Sequence, residues 1–140
     1  MEDCCKRGQT FIDKKAANIQ GSKPKYFISL TDACEPNDEL ICFVINSENK
    51  MYNLREACNK EKRKYVLKPK DLTFIEHYSS IMLDMPSRYY LKELFGKDCD
   101  RLDVADELLC RQIKNCIDFN AIPSKYGDLI KACFKQSKKQ

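Results

Sequence analysis

Apolar positions along this chain change period once. Through about residue 94 they come in short runs or in alternation, and from about residue 103 they recur at three- and four-residue intervals. Residues 26–30 (YFISL) and 40–45 (LICFVI) are rich in aromatic and β-branched side chains and are predicted to be strands. Residues 31–39 between them hold Asp, Pro and Asn, so the two strands should form a hairpin. Residues 9–14 (QTFIDK) follow Gly8 as a short, edge-like first strand, and 15–22 read as a loop. Lys23 precedes Pro24 and is therefore expected to be extended. Met51, Leu54 and Cys58 fit a short helical turn, residues 64–67 a small strand, and Lys68-Pro69-Lys70-Asp71 a break. Residues 73–83 (TFIEHYSSIML) alternate as a further strand, with His77 and Ser79 on the same side as Ile75, Ile81 and Leu83. Pro86 should end that strand, leaving 88–94 as a short strand or helical turn.

Beyond this point the helical period takes over. Ala105, Leu109, Ile113 and Cys116/Ile117 form a stripe, with Asp103 as a suitable N-cap. A second helix is predicted from near Ser124, carrying Tyr126, Leu129, Ile130, Cys133 and Phe134 on one face. The expected fold class is mainly β with C-terminal helices: a small, strongly bent sheet or barrel followed by an α-helical segment. It would be a single domain, 1–140, with the β part at 8–95 and the helices at 100–136. Consecutive strands without crossover helices argue against a doubly wound parallel sheet.

Composition narrows the function classes. With 43% hydrophobic and 33% charged residues, the 140-residue chain is an ordinary globular sequence rather than a disordered one. No run approaches the roughly 18–20 apolar residues of a membrane span, so no membrane partner is expected. The start, MEDCCKRGQTF, lacks the apolar region of a signal peptide, which leads to an expected cytoplasmic location. The net charge of +4 is mild, but its distribution is uneven. Lys60, Lys62, Arg63, Lys64, Lys68 and Lys70 cluster around one acid, while residues 98–107 are acidic. Such a basic run is either a solvated surface loop or an edge that tracks phosphates.

Nine cysteines occur without any C-x-x-C, and His77 is the sole histidine, so neither a metal site nor a cofactor is expected. Cys42, Cys116 and Cys133 sit inside apolar patterns, where a reduced cysteine behaves as a small hydrophobe. A zinc site assembled in space, or a redox role, stays open as an alternative.

The hairpin is where chemistry is expected. If its strands pair antiparallel, the basic entry at Lys23 and the polar exit at Asn46 and Ser47 meet at one end. His77 has the one side chain whose ordinary pKa lies near neutrality, which suits a general acid or base, although a strand histidine bonded to a neighbour is the plainer reading. Tyr26, Tyr65 and Tyr78 interleave with the basic residues and could stack bases or simply pack the sheet.

The order of these pieces resembles the MazF/PemK toxin family. The resemblance rests on Gly8-Gln-Thr-Phe-Ile-Asp, on Lys23-Pro24 opening a hydrophobic strand, and on a strand ending Ile45-Asn46-Ser47. Thr73-Phe-Ile-Glu-His-Tyr-Ser-Ser-Ile resembles a divergent branch of the family, as do Leu109, Ile113 and Cys116 followed by Ile122-Pro-Ser-Lys-Tyr126. The resemblance implies a small SH3-like barrel, a homodimer, and a metal-independent endoribonuclease that cleaves single-stranded RNA and is neutralised by an antitoxin-like protein. In that chemistry the RNA 2′-hydroxyl attacks the adjacent phosphate, and the protein moves protons and stabilises the added charge. The family's Arg falls on Lys23 and its Thr on Asn46, with Ser47 beside it. Lysine keeps the charge without the bidentate fork, and asparagine donates a hydrogen bond without a hydroxyl. The catalytic set would be Lys23 with Asn46 and Ser47 from the resemblance, assisted by His77 from its ordinary pKa near neutrality, and RNA would run along the basic residues 60–70. The alternative is a catalytically silent SH3-like barrel that binds protein or nucleic acid.

Overall fold

The structure, a computed structural model, describes residues 4–15 and 24–137. Its elements are β1 (Gln9–Asp13), β2 (Lys25–Ser29), β3 (Glu39–Ser47), β4 (Ala57–Asn59), β5 (Lys64–Leu67), β6 (Ser79–Tyr90), α1 (Leu91–Leu94), β7 (Cys99–Val104), α2 (Glu107–Cys116) and α3 (Ser124–Ser137). All seven strands join one antiparallel sheet in the order β4-β5-β6-β3-β2-β1-β7. The sheet is open, with β4 and β7 at its two edges: of the bent sheet or barrel expected from the sequence a sheet forms, and the closed SH3-like barrel that the resemblance implies is not shown. None of the helices described is long and apolar enough to cross a membrane.

The central strand explains the layering. β3 reads ELICFVINS, a near-continuous apolar run, because both of its faces are covered. Ile41, Phe43 and Ile45 join one core with Ile28, Ile81 and Leu83, roofed by Ile113 of α2 and by Ile130 and Phe134 of α3. Leu40 and Cys42 face the other way, into a smaller core with Phe11, Phe27, Leu91, Leu94 and Cys99. The predicted hairpin is present: β2 pairs antiparallel with β3, from Tyr26 opposite Ile45 to Ser29 opposite Cys42.

Several expectations are corrected. Residues 73–78 are a turn-rich loop, and the strand begins only at Ser79. Backbone bonds from Ile75 to Leu72 (3.0 Å) and from Lys70 to Ile75 (2.9 Å) curl this loop and bury Ile75, which an extended strand would not require. Pro86 does not end β6. Against β3, Phe43 lies opposite Pro86 and Ile45 opposite Ile81, so β6 bulges between them, and a bulge tolerates a residue without an N–H. Met51, Leu54 and Cys58 form no helix; residues from Ala57 enter the edge strand β4 instead.

β7 occupies the acidic stretch that the sequence assigned to a helix start, and it adds a strand beyond residue 95 to the sheet. The helix N-cap is therefore Asp106, whose carboxylate accepts from the Leu109 N–H at 2.8 Å, and not Asp103, which accepts from the Thr73 N–H at 3.0 Å. Gly8 makes the junction between β1 and α2 possible. Its φ is +95°, and a Cβ there would lie 2.7 Å from both the Ala105 carbonyl oxygen and the Cys110 sulfur.

Cysteine usage also departs from the reduced thiols expected. Cys4 is bonded to Cys34 and Cys58 to Cys116. The second bond ties the edge strand β4 to α2. Cys5, Cys42, Cys99 and Cys110 are buried free thiols, and burial pushes Cys110 up to about 12 and Cys99 to about 11. Those thiols stay protonated and serve as packing groups.

Candidate functional site

The end of β3 decides which predicted residues meet. Successive strand residues point to opposite faces, so Asn46 and Ser47 diverge. Ser47 shares its face with Ile45 and lies opposite Ser79 of β6. There it lines a cleft of about 310 Å³ together with Tyr26, Phe74, Glu76, His77 and Ser79. The loop before β6 delivers His77 to this cleft, and the Ser79 hydroxyl donates to the His77 carbonyl oxygen at 2.9 Å, closing a local turn. Tyr26 and Phe74 stack with ring centroids 4.9 Å apart and an interplanar angle of 10°, forming an aromatic wall. His77 and Ser47 are exposed at the rim.

Asn46 lies on the other face, opposite Ser80, and is half-buried. The polar pair nearest in sequence on that side is Glu48 with Lys64, bonded at 2.8 Å with side chains 15% and 25% exposed. Burial of Glu48 works against its charge, but the Lys64 ammonium, together with the Ser80 hydroxyl, outweighs burial and holds the carboxyl below its usual range. Of the four residues predicted as catalytic, then, Ser47 and His77 converge and Asn46 turns away. Lys23 lies outside the described residues.

The basic run is divided by β5. Lys60, Lys62 and Arg63 belong to the turn between β4 and β5, where Arg63 adopts φ +57°, whereas Lys68 and Lys70 follow the far end of the strand. At about 3.3 Å per residue the four residues of β5 separate the two groups by roughly 13 Å. Leu67 and Ser47 both lie opposite Ser79, so only the Lys68–Lys70 end adjoins the cleft. Three of the six basic side chains are already engaged. Lys64 pairs with Glu48 and Lys68 with Asp71 (3.0 Å), while Lys60 donates to the Asn115 carbonyl at 3.5 Å. Lys62, Arg63 and Lys70 are exposed. The fold thus divides the basic run of residues 60–70 into two groups at opposite ends of β5.

The three tyrosines also separate. Tyr65 is buried and donates to Gln112 at 3.0 Å, Tyr78 donates to Glu56 at 2.7 Å, and only Tyr26 lines the cleft. Phe74 and Glu76 were missed because an alternating strand would have placed them opposite His77; a loop frees all three to meet. Among the described residues no group of three or more His, Cys, Asp or Glu side chains is placed to hold a metal ion. The architecture defines a mainly β domain with C-terminal helices and an aromatic-walled cleft at one end of its hairpin. Comparison with protein-family models, curated proteins and solved structures finds no match to this chain.

Proposed function

We propose that this protein is a catalytically silent binding module whose Tyr26–Phe74 cleft takes a segment of single-stranded RNA. The observation that carries this reading is the divergence of Asn46 from Ser47 and His77. Transesterification of RNA needs donors gathered on one phosphate as charge develops. Here one implied donor faces the opposite side of the sheet, and a carboxylate, Glu76, lines the cleft. An aromatic wall with a hydroxyl and an imidazole at its rim suits stacking and hydrogen bonding to an unpaired base; the exposed Lys25 precedes Tyr26 in β2, and the exposed Lys70 donates its backbone N–H to Ile75 of the cleft lining.

The second reading, a metal-independent endoribonuclease of MazF/PemK type, is favoured by one observation: Ser47 and His77 share the cleft. In it His77 takes the proton of the attacking 2′-hydroxyl, and the cation that the resemblance implies is Lys23, outside the described residues. The same resemblance implies a small SH3-like barrel, a homodimer and an antitoxin-like protein partner, and the sequence reading adds a cytoplasmic location. The two disulfides weigh against the cytoplasm, because such bonds persist in oxidising compartments.

One experiment separates the readings. Labelled single-stranded RNA is incubated with a large excess of protein in EDTA, and both cleavage and fluorescence anisotropy are followed. A binding module leaves the RNA intact while raising its anisotropy. Tyr26→Ala and Phe74→Ala should weaken binding by about 1–3 kcal/mol per stacked base. Cleavage abolished by His77→Ala would establish the nuclease instead, and absence of any binding would remove RNA as the ligand.

A further inference from the structure

A second cleft, of about 750 Å³, lies apart from Ser47 and His77, between the N-terminal segment, the β2–β3 connection, the end of β7 and the C-terminal helices. Sulfur is concentrated in it. Both halves of the Cys4–Cys34 disulfide line it, and so does the free Cys133 of α3. Cys4 and Cys34 are exposed, brought together because Cys5 and Ala33 exchange backbone bonds of 2.8 and 2.9 Å.

Cys133 is not an ordinary packing cysteine. Its thiol donates to Asp32 Oδ2 at 3.3 Å, and its sulfur accepts from Arg7 Nη1 at 3.5 Å. Arg7 is itself fixed, with its fork on Glu107 (3.0 and 2.6 Å), a bond to the Cys133 carbonyl oxygen (2.9 Å), and its guanidinium 4.5 Å from the centre of the Phe134 ring. Partial burial raises the Cys133 thiol; the Arg7 cation opposes that rise, and the Asp32 carboxylate that accepts its proton adds to it. The other disulfide offers a contrast: Cys116 is 1% exposed and belongs to the larger core.

We propose that this cleft is a thiol–disulfide exchange site, in which a small monothiol opens Cys4–Cys34 and Cys133 resolves the product. In the first step the thiolate RS⁻ attacks the Cys34 sulfur. The Cys4–Cys34 bond breaks, an RS–Cys34 bond forms, and Cys4 leaves as a thiolate that takes a proton from water. In the second step the Cys133 thiol gives its proton to solvent, and the thiolate, held beside the Arg7 guanidinium, attacks Cys34. A Cys34–Cys133 bond forms and RS⁻ departs. Summed over both steps, one disulfide replaces another, the monothiol is regenerated, and no net oxidation occurs. The exchange unties Cys4 from the β2–β3 connection and ties that connection to α3.

The test uses the full chain with reduced glutathione as the monothiol, acid quenching, alkylation and mass-spectrometric mapping of the disulfides. Cys4–Cys34 should open faster than Cys58–Cys116 by a factor on the order of ten or more, since exposed disulfides are the labile ones. Peptides linked through Cys34 and Cys133 should then appear with Cys4 alkylated. In Cys133→Ser, glutathione should remain on Cys34. Equal opening rates for the two disulfides would overturn the proposal. So would a glutathione adduct on Cys34 that persists in the wild-type protein, a result that needs no substitution to be read.

Discussion

The two faces of the sheet are built on different principles. The face under α2 and α3 is closed by aliphatic side chains: Ile28, Ile41, Ile45, Ile81 and Leu83 from the strands meet Ile113 and Ile130 from the helices, with Phe43 among them. Its stabilisation comes from removing apolar surface from water, at roughly 25 cal/mol per Å². The opposite face packs an aromatic trio with small residues and with Leu40, Leu91 and Leu94. Phe11, Phe27 and Tyr89 lie with ring centroids 5.0–5.5 Å apart, beside Ala33 and Cys42. It also buries a carboxylate: Asp13, 9% exposed, accepts the Tyr89 hydroxyl at 2.7 Å. One core is set by hydrophobic volume and the other by a polar commitment that must stay satisfied. The site follows the same division, since Ser47 belongs to the first face and Asn46 to the second.

The largest expected effect tests the first face. Phe43→Ala should destabilise the protein by roughly 3–5 kcal/mol in denaturant unfolding, whereas Cys42→Ala, one residue away on the other face, removes one small atom and should cost far less. Equal losses would mean that the two faces do not differ as described. Next comes the Cys58–Cys116 bond, which closes a loop of sequence separation 58 and pins β4 to the helical layer. Replacing both cysteines by alanine should cost about 4 kcal/mol, seen as a lowered thermal midpoint.

A smaller effect should identify the second face. Tyr89→Phe leaves Asp13 Oδ2 without its donor, while Oδ1 keeps the Lys15 N–H, and should cost about 1–3 kcal/mol. Burial, with the Asp13 hydrogen bond and charge, raises Tyr89 well above its ordinary 10, so the fold prefers the protonated phenol. Stability from this group is present below pH 10 and is lost as pH rises through the folded-state value. Unfolding free energy should therefore fall more steeply at alkaline pH in the wild type than in Tyr89→Phe, and parallel curves would count against the pair. The smallest effect is at the polar patch beyond Asn46. Lys64→Ala should cost about 1 kcal/mol or less, because the Glu48–Lys64 pair is partly exposed and screened. Glu48 sits below its ordinary 4.5, so the pair's contribution is present above that pH and disappears as pH falls. Loss of the acid-dependent difference in Lys64→Ala would confirm the assignment, and its persistence would point to another carboxylate.

Much of the fold was legible residue by residue. The hairpin of β2 and β3, the short strands β1 and β5, and α3 all lie where their apolar periods place them. The errors share a cause. Asp103 and Asp106 stand three residues apart before one apolar stripe, and either can cap a helix. Pairing of residues 99–104 with β1 removes Asp103 from the choice. In residues 73–83, alternation is compatible with a strand, and burial of Ile75 under the loop turns half of it into the wall of a cleft.

The sequence by itself determined the hairpin strands β2 and β3, the short strands β1 and β5, and the helical period of α3, because these depend on neighbours within a few positions. Tertiary structure alone decided that the sheet stays open, that Asn46 and His77 part company, and that Cys4 finds Cys34 and Cys58 finds Cys116. Those outcomes depend on contacts between segments tens of residues apart. Such contacts are settled by which surfaces can be buried together, and local periodicity carries no record of that.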